Sequence, residues 1–146
     1  MNFKDFLELS EPQYSGVYMA MLVDSPELEE YQEKFLKTNL EEELHCTLVY
    51  SNTPFIGDIE ISRKRIQVFP KKFSLFGPNN DILVLEIESD YLIERNRFLS
   101  QTYGFIYNYK FKPHITLAHN FRSNIDYLPE INFPIYLDNE YFEELS

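Results

Sequence analysis

Two tripeptides of the same form, His45-Cys46-Thr47 and His114-Ile115-Thr116, lie in short apolar runs of the sequence. Successive side chains of a β-strand point to opposite faces, so each His shares a face with the Thr two residues later. The middle residue points the other way and is suited to a hydrophobic core. Each tripeptide is therefore expected to place an imidazole beside a hydroxyl on one surface.

The same His-x-Thr spacing occurs twice in the chain, which is rare by chance. The chain has 146 residues and three histidines, and two of the three carry a Thr two positions on. From the threonine content we expect this by chance in about 1 sequence in 300. The alternative to a functional role is that both histidines are half-buried strand residues whose hydrogen bonds are purely structural. The doubled motif favours function over that alternative.

Paired imidazoles and hydroxyls suit displacement at phosphorus, in which the attacking and leaving oxygens stand on opposite sides of the phosphorus atom. One histidine takes a proton from the nucleophile and the other gives one to the leaving oxygen, because an ordinary pKa near 6.5 makes both forms available. Thr47 and Thr116 can donate hydrogen bonds to the phosphate oxygens. A two-histidine metal site is a weaker alternative, since further ligands are not evident. We expect no metal and no cofactor.

The motifs carry a family resemblance. Together with Ser15-Gly16-Val17-Tyr18 near the start, the segments 45–51 and 114–117 resemble the 2H phosphoesterase superfamily, and within it most closely the phage anti-CBASS protein 1 group. The resemblance implies a metal-independent phosphodiesterase in which the ribose 2′-hydroxyl attacks the adjacent 3′–5′ linkage of a cyclic di- or trinucleotide. It also implies that His45 and His114 form the acid/base pair, that Thr47 and Thr116 bind the phosphate, and that host CBASS immunity is evaded.

Six further residues are candidates for substrate binding. Three aromatic side chains could stack on a base, a lysine near His114 could attract phosphate, and two residues of the last segment could read a base edge or close the groove. The aromatic residues are Tyr14, Tyr18 and Phe76, the lysine is Lys110, and the two residues of the last segment are Glu140 and Tyr141. Packing in the core is the competing interpretation for the aromatic residues.

Three other features are assigned structural roles. His119 has the opposite strand parity to His114 and should face away from the site. Cys46 could be a nucleophile, but its parity sends it into the core. The basic run Arg63-Lys64-Arg65 is interpreted as a solvated edge that protects a strand from further pairing.

Composition narrows the class of partner. A net charge of −11 disfavours long nucleic acid, whose binding depends on neutralised phosphates, yet permits a small anion in a locally positive pocket. A single Cys fits a reducing compartment, and no apolar run approaches the ~18 residues of a membrane span. We therefore expect a cytoplasmic protein, in the host cell if phage-encoded, that is monomeric and has no membrane partner.

The order of predicted elements repeats. Each half is expected to contain a strand, a helix, a His strand and a further extended segment. The first half has these at residues 15–23, 26–39, 44–50 and 59–69, the second at 81–88, 90–103, 113–119 and 132–145. A short helix over 3–9, an extended piece over 73–78 and an aromatic connection over 105–111 complete the chain. The number of residues between equivalent elements of the two halves is nearly constant, and this predicts an internal pseudo-repeat.

We therefore predict one bilobal α+β domain over residues 1–146, with lobes of about 15–78 and 79–146. In the 2H phosphoesterase-like fold that we expect, two pseudo-symmetric antiparallel sheets have helices on their outer faces and a groove between them. Two function classes compete with the cyclic nucleotide phosphodiesterase. One is a related enzyme acting on RNA 2′,3′-cyclic phosphate ends. The other is a binding module, either a nucleotide sponge or a DNA mimic.

Overall fold

The computed structural model describes residues 13–105 and 110–145. The predicted helix over residues 3–9 lies outside this range, as does much of the predicted connection over 105–111. The elements in chain order are β1 (Gln13–Tyr14), β2 (Val17–Asp24), α1 (Pro26–Tyr31) with a π-helical turn (Gln32–Leu36), β3 (His45–Ser51), β4 (Phe55–Ile56), β5 (Ile66–Phe76), β6 (Ile82–Glu88), α2 (Asp90–Tyr103), β7 (His114–Ala118), a 3₁₀ turn (Ile125–Tyr127) and β8 (Ile135–Glu144). Among these helices none is long and apolar enough to span a membrane.

Both helices begin where the sequence predicts. The Ser25 hydroxyl accepts a hydrogen bond from the Leu28 N–H at 3.2 Å, and the Ser89 hydroxyl accepts one from the Leu92 N–H at 3.3 Å. Each serine thus satisfies an N–H that has no partner within its helix. Gly104 ends α2 in the left-handed conformation, with φ of 74°. These predicted boundaries are confirmed.

The six long strands form one closed antiparallel sheet in the order β2-β3-β7-β6-β5-β8, while β1 and β4 form a separate two-stranded ribbon. The mixed α+β class and the antiparallel pairing agree with the prediction. The expected division into two equivalent sheets is wrong, because β3 pairs with β7 and β8 pairs with β5. These two pairings join the halves into one continuous sheet.

The pairing pattern nevertheless has internal symmetry. Exchanging β2, β3 and β5 for β6, β7 and β8 reproduces the strand pairs of the closed sheet: four pairs interchange, and the β3–β7 and β5–β8 pairs map onto themselves. The order is the one that a duplicated strand–helix–strand–strand unit would give. The division into lobes at 15–78 and 79–146 stays a prediction.

The strand predicted over residues 59–69 is displaced. Residues 57–65 form no strand, and β5 instead runs from Ile66 to Phe76, absorbing much of the extended piece predicted over 73–78. The backbone N–H of Glu60 donates to the Tyr103 hydroxyl at 2.9 Å, and that of Ser62 donates to the Glu140 carboxylate at 3.1 Å. These two backbone groups thus donate to side chains and not to a neighbouring strand.

The first helix also differs from prediction. It changes to a π turn after Tyr31 and ends at Lys37, whose φ is 67°, rather than near Asn39. The wider turn moves the following side chains around the axis. The aromatic Phe35 is 38% exposed, whereas the polar Gln32 is buried.

Candidate active site

The two His-x-Thr motifs meet where β3 pairs with β7. Cys46 lies opposite Ile115, and both side chains are fully buried in the core. Continuing this antiparallel register by one residue places His45 opposite Thr116 and Thr47 opposite His114. Since opposite residues share a face, all four side chains lie on the surface away from the core.

This register makes the two histidines diagonal neighbours. Diagonal positions on one face of an antiparallel pair lie about 7–8 Å apart, which is within reach of long or aromatic side chains. His45 and His114 are each half-buried. The arrangement places a threonine side chain of the partner strand directly opposite each histidine.

Each imidazole is held by the same local hydrogen bond. Nδ1 of His45 lies 2.9 Å from the Glu43 carbonyl oxygen, and Nδ1 of His114 lies 2.7 Å from the Lys112 carbonyl oxygen. A carbonyl oxygen only accepts, so Nδ1 is the protonated nitrogen in both rings. In the neutral ring, Nε2 is therefore the nitrogen with a free lone pair, ready to take a proton.

The neutral form of His114 is favoured by its surroundings. Burial lowers the pKa of the ring, and the nearby positive charge of a protonated His45 lowers it further. The Lys112 carbonyl and the Glu86 carboxylate oppose this effect without overcoming it. Glu86 lies directly across from His114 in the sheet and accepts a hydrogen bond from Ser74.

Tyr18 connects the first motif to the neighbouring strands. Its hydroxyl lies 3.1 Å from the Thr47 hydroxyl, its ring centroid lies 6.2 Å from that of His45, and it lies 6.4 Å from the Tyr141 ring. Burial raises the pKa of both phenols. Both hydroxyls therefore stay protonated near neutral pH and can act as hydrogen-bond donors.

Two cavities lie beside the histidines. The first, of about 730 Å³, is lined in part by Tyr18, His45 and Tyr141. Glu43 and Arg63 also line it, so its wall carries charges of both signs.

The second cavity, of about 560 Å³, is lined in part by Thr47, Phe76, Lys110, Lys112 and His114. Its two lysines are exposed and its aromatic wall is apolar, a combination that suits a planar anionic ligand. The paired motifs thus contribute to the walls of two adjacent cavities of different charge.

Of the six predicted binding residues, five line these cavities: Tyr18, Glu140 and Tyr141 in the first, Phe76 and Lys110 in the second. The Phe76 ring, at the end of β5, contacts that of His114, with centroids 4.8 Å apart. Tyr14 lies elsewhere. Its ring packs on Phe55 and Phe142 and lines neither cavity.

Glu140 borders the first cavity, but its carboxylate is already bound. Arg95 donates to it through two nitrogens, Nη2 at 2.7 Å and Nε at 3.1 Å, and the Ser62 N–H donates to it at 3.1 Å. The Glu140 side chain is fully buried. Its hydrogen bonds link β8 to α2 and to the segment before β5. The carboxylate oxygens are therefore already used within the protein and are not free to bind a base.

The contacts of Cys46, His119 and the basic run 63–65 can be compared with the structural roles assigned to them from the sequence. Cys46 is fully buried, and burial raises its pKa to about 12, which confirms its place in the core. His119 is exposed and lies 2.8 Å from the Glu41 carboxylate. Of the basic run, Arg65 forms ion pairs with two aspartates, whereas Arg63 lines the first cavity instead of guarding a strand.

Sequence reasoning missed Arg63 and Glu86 as neighbours of the motifs. An acidic residue in the middle of the apolar run of β6 was a usable signal for Glu86. Arg63 had no such signal, since its position depends on the irregular segment before β5. In the described residues, no group of three or more His, Cys, Asp or Glu side chains is arranged to hold a metal ion.

The fold and site define an α+β protein whose closed sheet presents two imidazole–hydroxyl pairs between two cavities. Residues 15–146 match the protein family described as "Anti-CBASS protein Acb1", and the chain belongs to this family. The Anti-CBASS protein Acb1 of Enterobacteria phage T4 is 30% identical over 162 aligned residues, covering 100% of this chain and 94% of the relative. The protein of the same name from Salmonella phage S16 is 28% identical over 164 residues, with the same coverage.

Proposed function

We propose that this protein is a metal-independent phosphodiesterase that opens cyclic di- and trinucleotides and thereby evades CBASS immunity. The family name supports the role against CBASS and a cyclic oligonucleotide as the substrate. The observation that carries the chemistry is the shared tautomer of the two rings, each held at Nδ1 by a carbonyl. Two Nε2 atoms on one face are thereby available for proton transfer.

In the proposed reaction the ribose 2′-oxygen attacks the phosphorus of the adjacent 3′–5′ linkage, and the bond from phosphorus to the 5′-oxygen breaks. His114 is the proposed base, because its lowered pKa keeps Nε2 unprotonated near neutral pH. It accepts the proton of the 2′-hydroxyl. Protonated His45 gives its Nε2 proton to the departing 5′-oxygen. The product is a linear nucleotide with a 2′,3′-cyclic phosphate and a free 5′-hydroxyl.

The hydroxyl groups complete the proposed site. Thr47 and Thr116 donate hydrogen bonds to the non-bridging phosphate oxygens, where negative charge is concentrated in the transition state. Tyr18 orients the Thr47 hydroxyl through their 3.1 Å contact. Phe76 and Lys110 in the second cavity, and Tyr141 in the first, are proposed to hold the bases and the second phosphate.

The test is incubation of the purified protein with 3′,3′-cyclic dinucleotides and a cyclic trinucleotide in excess chelator, followed by chromatography and mass spectrometry. The first product should have the mass of its substrate but a different retention time, since ring opening adds no atoms. A cyclic dinucleotide built only from 2′-deoxyribose should remain intact because it lacks the nucleophile. Cleavage of that deoxy analogue at the rate of the ribose substrate would contradict the mechanism.

The same experiment separates the competing functions. An enzyme for RNA ends would instead act on an oligonucleotide with a 2′,3′-cyclic phosphate and leave the cyclic nucleotides unopened. A nucleotide sponge would return its ligand unchanged after the protein is denatured. Either result would replace the proposed activity.

A further inference from the structure

A β-bulge follows each His-x-Thr motif. The register between β2 and β3 passes over Leu48, the residue directly after Thr47, and the register between β6 and β7 passes over Leu117, directly after Thr116. An extra residue of this kind takes its peptide group off the regular ladder. Both leucine side chains are fully buried, so the peptide carbonyls at these bulges need partners from within the protein.

Two buried amide side chains donate to these carbonyls. Asn96 Nδ2 lies 2.6 Å from the Leu48 carbonyl oxygen, and Gln32 Nε2 lies 2.9 Å from the Leu117 carbonyl oxygen. Gln32 and Asn96 are only 4% and 8% exposed. Gln32 also donates to the Glu41 carbonyl at 3.1 Å. Each bulge is thus tied to a helical segment by a side-chain amide.

The two amides occupy equivalent places in the halves of the chain. Each follows the N-cap serine of its own helical segment by the same number of residues, Gln32 after Ser25 and Asn96 after Ser89. Each also reaches across to the opposite half, from the first helix to β7 and from the second helix to β3. Two unrelated packing accidents would not produce this reciprocal arrangement.

We propose that Gln32 and Asn96 are paired positioning residues that hold the two His-x-Thr motifs in the register at which both imidazoles face the phosphate. This inference rests on the proposed function for its kinetic consequences. A one-residue slip in a strand moves every side chain to the other face, so a bulge must be fixed if the residue pair before it is to point outward. The amides provide that fixing from outside the β-ladder.

The test uses Asn96→Leu and Gln32→Met, which retain side-chain volume and remove the donors. A matched control is Ser100→Ala on the second helix, because the Ser100 hydroxyl is buried with no hydrogen-bond partner among the described residues. A displacement of about 1 Å at a reacting group costs up to about 100-fold in rate. We expect kcat to fall about 10- to 100-fold in each variant, with KM little changed, and to stay at the wild-type value in Ser100→Ala.

A second readout does not depend on activity. NMR titration of the imidazole resonances should show the larger change at His45 in Asn96→Leu and at His114 in Gln32→Met, because each amide supports the opposite half. A merely structural role would disturb both rings alike or neither. If Asn96→Leu does not fold, Asn96→Ser removes the amide more conservatively and carries the same expectation.

The outcomes are distinct. Folded variants with unchanged kcat and unchanged ring titrations would overturn the inference, as would equal changes at both rings. If the wild-type protein opens no cyclic nucleotide, the proposed function fails, whereas the ring titrations still decide whether the amides position the histidines.

Discussion

Replacing each candidate histidine by asparagine would remove the proton-transfer atom while keeping the local anchor. The Asn side-chain N–H₂ can occupy the place of Nδ1 and donate to the same carbonyl, Glu43 for position 45 and Lys112 for position 114. Only Nε2 is lost. We therefore expect His45→Asn and His114→Asn to fold normally but to lose the proton transfer that each ring provides.

The expected loss can be estimated from the chemistry. A positioned general acid or base contributes about 10²–10⁴ in rate, and each factor of ten is about 1.36 kcal/mol of barrier. Each single variant should therefore lose about 3–5 kcal/mol of transition-state stabilisation. Because both transfers belong to one step, the double variant should fall little below the weaker single variant.

The assay is single-turnover cleavage of a 3′,3′-cyclic dinucleotide, with binding measured separately by calorimetry. His119→Asn is the matched control, since His119 is an exposed histidine that follows directly after β7 and pairs with Glu41. Thermal midpoints should stay within about 4 °C of wild type if the anchor is kept. A cleavage rate within threefold of wild type in either His45→Asn or His114→Asn would refute the assignment of the pair.

Three further predictions follow from single contacts. Arg95→Met leaves the buried Glu140 carboxylate without its bidentate partner, so it should destabilise the fold by about 3–5 kcal/mol and lower the thermal midpoint by about 6–20 °C. Tyr18→Phe removes the hydrogen bond to Thr47, worth about 0.5–1.5 kcal/mol, and should reduce kcat about 2- to 13-fold. The acidic limb of kcat/KM should lie below pH 6.5, because the pKa of the proposed base His114 is lowered.

Matched variants check these predictions. Arg97→Met, on the exposed face of α2, should change the thermal midpoint little, and Tyr50→Phe, on the exposed end of β3, should leave kcat unchanged. For the pH effect the unfolded chain binds a proton at His114 more readily than the folded chain does. The free energy of unfolding should therefore fall as pH drops below 6.5, and His114→Asn should remove that contribution. An acidic limb above pH 6.5 would contradict the assignment of the base.

The sequence predicted helix boundaries correctly where the residues that set them lie within a few positions of the boundary. The serine caps at Ser25 and Ser89 and the glycine stop at Gly104 depend on groups within a few residues, and the helix starts at 26 and 90 and the helix end at 103 that they set were predicted. The π turn was not, because the hydrophobic pattern suggested a continuous helix through Phe35. The burial of Gln32 follows from that turn and from its bonds to β7 and to the loop before β3, which no local pattern reveals.

Long-range contacts account for the other differences. Glu140 and Tyr14 were plausible ligand contacts from their residue types, but their partners come from distant segments. Arg95 holds the carboxylate of Glu140, and Phe142 packs on the ring of Tyr14. Whether such a side chain faces a ligand or another residue depends on what the fold brings next to it.

The alternation of residues determined by itself that each His shares a face with its Thr, because side-chain direction in a strand is set by the backbone alone. Only the tertiary structure decided that the two motifs lie side by side in one sheet, through the pairing of Cys46 with Ile115. Strand pairing joins residues far apart in the chain, and it depends on how the whole sheet closes. The sequence alone therefore determined each motif, whereas the tertiary structure determined the distance and direction between its two copies.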